Sequence, residues 1–351
     1  MSRFAIDALR AFGQAVLLAE GASSHEAQIL TDCLMDAQLR TAPFHNQGLI
    51  RLAIYVRRIR EGGLTPCATV AVIHETASVG LLDGGNGFGQ VVAHRAMTMA
   101  IEKARGAGVG VVAARNSNHF GTASYFTLMA AGAGLVGLAF TNASPEMPAW
   151  GGSVALVGTN PWSIGVPSHA GRPIVLDLSN AASGKGAIRY FAAIGRSLPL
   201  DWAIDSTGGS VTDPRVAADA LLAPMGGYKG YGIAVMVDLL TAGLAGGQAG
   251  SAVGSPYQFA RPQGVSHLVM ALDPASFAGL DALDSAAGTL SRELRQSPRQ
   301  PTVTATYLPG DPEWERERES RRLGIDLPEE TVERLRALGV EAGVTFPGPA
   351  A

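Results

Sequence analysis

Short β-rich runs alternate with helical stretches through the middle of the chain, and helical periodicity recurs at both ends. Together these predict an α/β protein flanked by helices. Glycine supplies a third observation, because its 44 residues gather in short runs between apolar stretches, as where backbone closely approaches a ligand. Hydrophobic residues at 47% and charged residues at 16% of 351 fit a well-buried globular chain rather than a disordered one.

The elements follow in order. Ser23 with Glu26 three residues on forms a capping box, and Leu30, Cys33, Leu34 and Ala37 then recur at helical spacing. A further helix is predicted over 48–62, with Leu49, Leu52 and Val56 on one face. Gln47, Arg51 and Tyr55 lie four apart on another face and would project together. From about residue 69 the strand TVAVIHE is followed by the amphipathic helix GQVVAHRAMTMAIEKARG. The apolar strand GVGVVAAR comes next, ending at the polar loop 116–121. A helix near 122–131 and the strands LVGLAFTN and PIVLDLS continue the alternation. Residues 184–223, richer in Arg, Asp and Pro, read as a small peripheral insertion. A long apolar helix (229–245) and the strand SHLVMALDP follow; from Asp311 the chain is charged and helical, with Pro328 at a helix start. The closing VTFPGPAA reads as a loose tail. The organisation is thus an N-terminal helical segment (1–68), a central α/β region (69–310) and a C-terminal helical segment (311–345).

Composition excludes several classes. Lys plus Arg is 27 against 30 for Asp plus Glu, a net charge of −3, which offers no basic footprint for nucleic acid and no polybasic membrane patch. Cys33 and Cys67 are too few for a disulfide framework or a cysteine-built metal site, and no metal centre is expected; they fit a reducing compartment, the cytoplasm. The N-terminus lacks a signal-peptide pattern, and no window of about 18 uncharged apolar residues suggests a membrane span.

Four clusters could carry chemistry. His119, in Arg115-Asn-Ser-Asn-His-Phe-Gly121 between a buried strand and a helix, can exchange a proton near neutral pH; a histidine that merely braces its loop fits the same pattern. Gly226-Gly-Tyr228-Lys229-Gly opens a helix, where backbone N–H groups beside a lysine form an anion cradle, unless the small residues serve packing alone. Thr159-Asn160-Pro161 and Asp177-Leu178-Ser179 are turns whose backbone could line a cofactor, or ordinary loops. The Gln47/Arg51/Tyr55 face could clamp a substrate carboxylate or simply face solvent. No G-x-G-x-x-G follows a strand, so the usual dinucleotide fingerprint is absent, as are a P-loop, H-E-x-x-H and G-x-S-x-G.

In order, LLDGGNGFGQVVAHRAM, RNSNHFGTASYF, AFTNASPEMPAWGG, LVGTNPWSIGVP, IVLDLSNAASGKGAI, PMGGYKGYG and YLPGDPEWERERESRRLGIDLP resemble the type-2 malate/L-lactate dehydrogenase family over about residues 40–340. That family includes ureidoglycolate, sulfolactate and diketogulonate enzymes and the piperideine- and pyrroline-2-carboxylate reductases. The resemblance implies a non-Rossmann nicotinamide-binding fold with a largely antiparallel twisted sheet, a helical domain from the N- and C-terminal segments, and a homodimer. It implies NAD or NADP as cofactor, a small carboxylate as substrate, and no nucleic-acid or membrane partner. Carried over by motif, His119 is the acid/base candidate, and Asp177, Leu178, Ser179, Tyr228, Lys229, Gly310 and Asp311 contact the cofactor, with Asn160 beside them.

One stretch departs from the family pattern. The SHGLxRL motif, whose histidine donates a proton in several members, here reads Phe44-His45-Asn46-Gln47-Gly48-Leu49-Ile50-Arg51-Leu52. Alignment on Gly48 and Arg51 puts Gln47 in the histidine's place and Asn46 in the serine's, with Arg51 and Tyr55 kept for the substrate. Glutamine donates a hydrogen bond but transfers no proton at useful pH. The expected activity is hydride transfer between nicotinamide and a small 2-oxo or 2-hydroxy acid. Reduction of a cyclic ketimine, which brings its own proton, is the alternative, and a paralogue that binds cofactor or metabolite without catalysis is the third reading.

Overall fold

A computed structural model describes residues 2–350 apart from 43, 44, 46, 169, 170 and 218. The chain opens with β1 (Ser2–Phe4), α1 (Ile6–Ala19) and α2 (Ser24–Arg40). The Ser23–Glu26 capping box is present at α2 in both its hydrogen bonds. The predicted helix over 48–62 begins as a tight 3-10 turn, Leu49–Arg51, before α3 (Leu52–Arg60).

Next come β2 (Ala71–Glu75), β3 (Val79–Asp83), α4 (Gly89–Ala107), β4 (Val109–Ser117), α5 (Ala123–Gly132) and β5 (Val136–Thr141). The hairpin of β6 (Pro145–Pro148) and β7 (Ala155–Gly158) precedes β8 (Trp162–Val166) and β9 (Ile174–Leu178). Residues 184–223 hold α6 (Lys185–Ala193), β10 (Ala203–Ile204), α7 (Pro214–Ala217) and β11 (Leu221–Leu222). Their apolar side chains share one cluster with Met147, Val157 and Ala234. The predicted long helix is α8 (Tyr228–Asp238), which widens into a π-helical turn at Leu239–Gly243. Then follow β12 (Val265–Leu272), α9 (Leu280–Gln296), α10 (Asp311–Leu323), β13 (Ile325–Leu327) and α11 (Glu329–Ala342).

The central sheet has seven strands in the order β2-β3-β4-β12-β5-β8-β9. Only β3 and β4, joined by α4 as a crossover, are parallel; every other pair is antiparallel. The largely antiparallel sheet expected from the resemblance is therefore present. Helices α4 and α5 cover one face, burying Val92, Ala96, Met97 and Phe126 against Val112, Ala139 and Val269. A second core gathers α1, α2, α3 and α11 around Leu9, Leu30, Leu52, Tyr55 and Leu335. Strand β1 pairs with β13 in that layer.

The loose tail is corrected. Val344 and Phe346 pack on the helical core, and the Phe346 ring meets Phe4 and Phe12 edge-on at 5.4 and 5.0 Å between centroids. A single aromatic residue with a waiting pocket anchors a segment whose proline and glycine content suggests none. Among the described residues no helix is long and apolar enough to cross a membrane.

Candidate active site

A cleft of about 860 Å³ opens between the helical layer and the ends of β4, β5 and β9. His119 stands on its floor, in the turn between β4 and α5. That turn is held from two sides: the His119 N–H donates to Gln263 Oε1 at 3.0 Å, and buried Asn118 donates to the Gly87 carbonyl at 2.8 Å. The turn also presses on the first residues of α4, where a Cβ on Gly89 would lie 2.0 Å from the Asn118 carbonyl oxygen. Only glycine permits that approach. It brings Gln90, the next residue, beneath the site.

Gln90, Tyr55 and His119 form a chain of hydrogen bonds. Gln90 Nε2 donates to the Tyr55 hydroxyl at 2.7 Å, and that oxygen lies 2.8 Å from His119 Nδ1. With one amide proton already pointing at it, the phenol's own proton goes to Nδ1. The imidazole is thereby fixed with its proton on Nε2, the nitrogen left for the cleft. Burial chiefly, then the positive charge of Arg51, hold the His119 pKa down at about 3, so the ring is neutral in the free protein.

Arg51 and Gln47 line the cleft, whereas Tyr55, 2% exposed, lies beneath it and works through His119. The three residues therefore do not share one open face, because the 3-10 turn at Leu49–Arg51 breaks the four-residue periodicity. Gln47 Oε1 and Thr122 Oγ1 are buried in the cleft wall with no hydrogen-bond partner. Such orphaned atoms are costly unless something polar is bound there. His45 lines the cleft as well, and Asn46 lies outside the described residues.

On the opposite wall, Asp177 accepts the Ser124 N–H at 2.7 Å, and Leu178 and Ser179 line the cleft beside it. Gly310 closes this wall at φ 92°, as the residue before α10. Asp311 points the other way, pairing with Arg295 at 2.8 Å in a neighbouring pocket of about 400 Å³. Asn160 is wholly buried at φ 39°, its amide tying the Ala143 N–H and the Ala234 carbonyl at 2.9 and 2.8 Å. It braces the wall formed by Thr159 and Pro161. Tyr228 and Lys229 are exposed at the start of α8, three and four residues beyond the cleft residue Met225.

Several contributors escaped the sequence reading. Gln90 sits on the buried face of α4 with Ala93, Met97, Ala100 and Ala104, and a lone amide on an apolar face was a usable signal. His267, likewise polar within an apolar strand, is fully buried in β12. It lies 2.7 Å from the Ser117 hydroxyl and 2.8 Å from that of Thr141, with its ring stacked on Phe120 at 4.8 Å. Burial holds its pKa at about 3. Arg58, 1% exposed, donates to the carbonyls of Gly63, Gln258 and Arg261 and to Asn118 Oδ1, all within 3.0 Å. It thus fastens α3 to the His119 turn.

The fold is thus a largely antiparallel, non-Rossmann α/β sheet whose cleft is lined by Arg51 and His119. The sequence profile of the malate/L-lactate dehydrogenase family matches residues 4–336, and the chain belongs to that family. It is similar to a malate dehydrogenase of Pyrococcus abyssi, 34% identical over 96% of this chain and 94% of the relative. A (2R)-3-sulfolactate dehydrogenase (NADP(+)) of Chromohalobacter salexigens is also 34% identical, over 93% and 95%. The crystal structure of malate dehydrogenase from Entamoeba histolytica superposes with a TM-score of 0.93 at 31% identity, covering 99% of each chain.

Proposed function

We propose that this chain reduces a small 2-oxo acid, or oxidises the matching 2-hydroxy acid, with NAD or NADP, and that Arg51 and His119 carry the reaction. The observation that bears the most weight is the Gln90–Tyr55–His119 chain, which turns a neutral imidazole into a directed N–H donor at the cleft floor. When bound, the nicotinamide supplies or accepts the hydride. Its wall is proposed to be Asp177, Leu178, Ser179 and Gly310, with Tyr228, Lys229 and Asp311 at the rims and Asn160 bracing from behind. The unpartnered Thr122 hydroxyl on the same side of His119 fits a polar guest.

Arg51 binds the substrate carboxylate as a fork. That pairing cancels the arginine charge which helps hold the His119 pKa down and adds a negative charge nearby, so His119 gains proton affinity as substrate arrives. The ring then takes up a solvent proton at Nδ1, where the Tyr55 hydroxyl turns from donor to acceptor, and as imidazolium gives its Nε2 proton to the C2 oxygen, returning to neutral. Gln47, its oxygen unpartnered, orients the substrate.

A second reading rests on Gln47. An iminium needs no proton at the reacting centre, so a site with glutamine and a neutral imidazole there suits a cyclic ketimine as well. The exposed Met236 on α8, with Leu239 and Leu244 in the helical turns that continue it and Leu156 and Val154 exposed nearby, supports a homodimer through this region. Two free cysteines among the described residues fit the cytoplasm.

The test is loss of nicotinamide absorbance with oxaloacetate, pyruvate, 2-oxoglutarate, sulfopyruvate and the two cyclic imines. Turnover of a 2-oxo acid supports the first reading and turnover of an imine alone the second. Cofactor binding without turnover of any leaves a binding paralogue.

A further inference from the structure

Gly310, at the edge of the wall assigned to the cofactor, precedes a helix with little apolar hold on the molecule. None of the 13 residues of α10 is buried, and none joins an apolar cluster. Its far end is secured by β13, which pairs with β1. Its near end is held by polar and aromatic ties instead. The Asp311–Arg295 pair is one of them, but Arg295 is 52% exposed, and a solvated pair contributes little.

Trp314, in the first turn of α10, supplies the stronger ties. Its backbone N–H donates to the Gly310 carbonyl at 3.0 Å, and its indole Nε1 donates to the carbonyl of Pro173, just before β9, at 3.1 Å. The guanidinium of Arg40, buried at the end of α2, lies over the ring at 3.9 Å from its centroid. Arg40 is itself fixed by Glu317 at 3.1 Å, one turn on along α10, and by Asp36 at 3.9 Å. Arg172 approaches the same ring at 5.3 Å and donates to the Trp314 carbonyl at 3.3 Å. A desolvated cation on an indole outweighs an exposed ion pair, which makes Trp314 the main tie of this end.

These contacts lay the turn before α10 along β9. The Val175 N–H donates to the Pro309 carbonyl at 3.2 Å, and a Cβ on Gly310 would lie 3.1 Å from the Val175 carbonyl oxygen. Asp177 follows in the same strand, so the turn and the strand end make one surface. Trp314 lines the neighbouring pocket and not the cleft, so it acts through Gly310 rather than by touch.

We propose that Trp314, clasped by Arg40, is the positioning residue of the cofactor wall, holding the Gly310 turn on β9 before any cofactor arrives. This role rests on the reading of Asp177, Leu178, Ser179 and Gly310 as that wall. Preorganisation then sets affinity: a wall in place about one-tenth of the time binds about tenfold more weakly.

Hydrogen exchange of the free protein and calorimetric titration with NADH and NADPH test the role together. In Trp314→Leu the amides of residues 308–316 exchange at least about tenfold faster, while those of α11 keep their protection. The same variant binds its preferred nucleotide at least about tenfold more weakly. Trp314→Phe, which keeps a ring for Arg40 and loses the indole N–H, lies between the two in both readouts. Arg40→Lys keeps a charge for Glu317 without the flat guanidinium; it lies between as well, and carries the test if Trp314→Leu does not fold. Unchanged exchange at 308–316 in the folded variant overturns the proposal, and if affinity still falls, Trp314 touches the cofactor directly. A rise in exchange shared equally by α11 also overturns it, as general destabilisation. Faster local exchange with unchanged affinity leaves the clasp standing and refutes the reading of Gly310 as cofactor wall.

Discussion

Mild acid should destabilise this protein through His267. The imidazole is fully buried between two hydroxyls and its pKa falls from 6.5 to about 3 in the fold, with desolvation as the cause. Below pH 6.5 the unfolded chain takes up a proton there and the folded chain does not, so stability is intact above that pH and is lost as pH falls toward 3. Between pH 7.5 and pH 5 the two pKa values give a loss of about 2 kcal/mol from this one residue. Urea unfolding of the parent and of His267→Gln at both pH values isolates it. The glutamine variant is less stable at pH 7.5, because it forfeits the stacking on Phe120, but it loses about 2 kcal/mol less on acidification. Equal losses in the two proteins would show that His267 is not held neutral, and the tight packing between Ser117 and Thr141 would need another explanation.

Replacing His119 with Ala should lower turnover about 10²-fold or more while cofactor affinity holds; a loss under threefold at every pH makes the histidine a brace for its turn. Gln47→His places a titrating donor beside Arg51, so 2-oxo acid reduction should rise with a new titration near the imidazole pKa, while imine reduction gains little. Flat rates for both substrates would displace Gln47 from the donor position and direct attention to His45. Lys229→Ala should weaken cofactor binding by about tenfold or more without a matching change in the hydride-transfer step. Unchanged affinity in a nicotinamide fluorescence titration would remove the α8 rim from the cofactor site.

Elements with strong periodicity were legible: α2 through its capping box, α4 through its apolar face, β4 and β12 through largely apolar runs. The order of strands was not, because β12 enters the sheet centre between β4 and β5 from more than 120 residues away, and no local pattern records that pairing. The β6–β7 hairpin hid behind Pro145 and Pro148. At the site, Arg51 and His119 stood out by residue type and spacing. The Gln90–Tyr55 support did not, since it depends on a glycine contact between α4 and the His119 turn that only the folded chain creates.

The pairing of β1 with β13, and the seating of Phe346 against Phe4 and Phe12, have a consequence for the order of assembly. During synthesis the strands of the sheet emerge with most of their partners, while α1 and α2 wait with an apolar surface uncovered until α10 and α11, at the far end of the chain, arrive. Arg51 belongs to that waiting layer and His119 to the sheet, so the two halves of the site meet only at the end. A nascent chain therefore holds the His119 turn before Arg51 is seated against it. Pulse-labelled hydrogen exchange during refolding should record this as protection of α1 and α2 lagging behind that of β4 and β12.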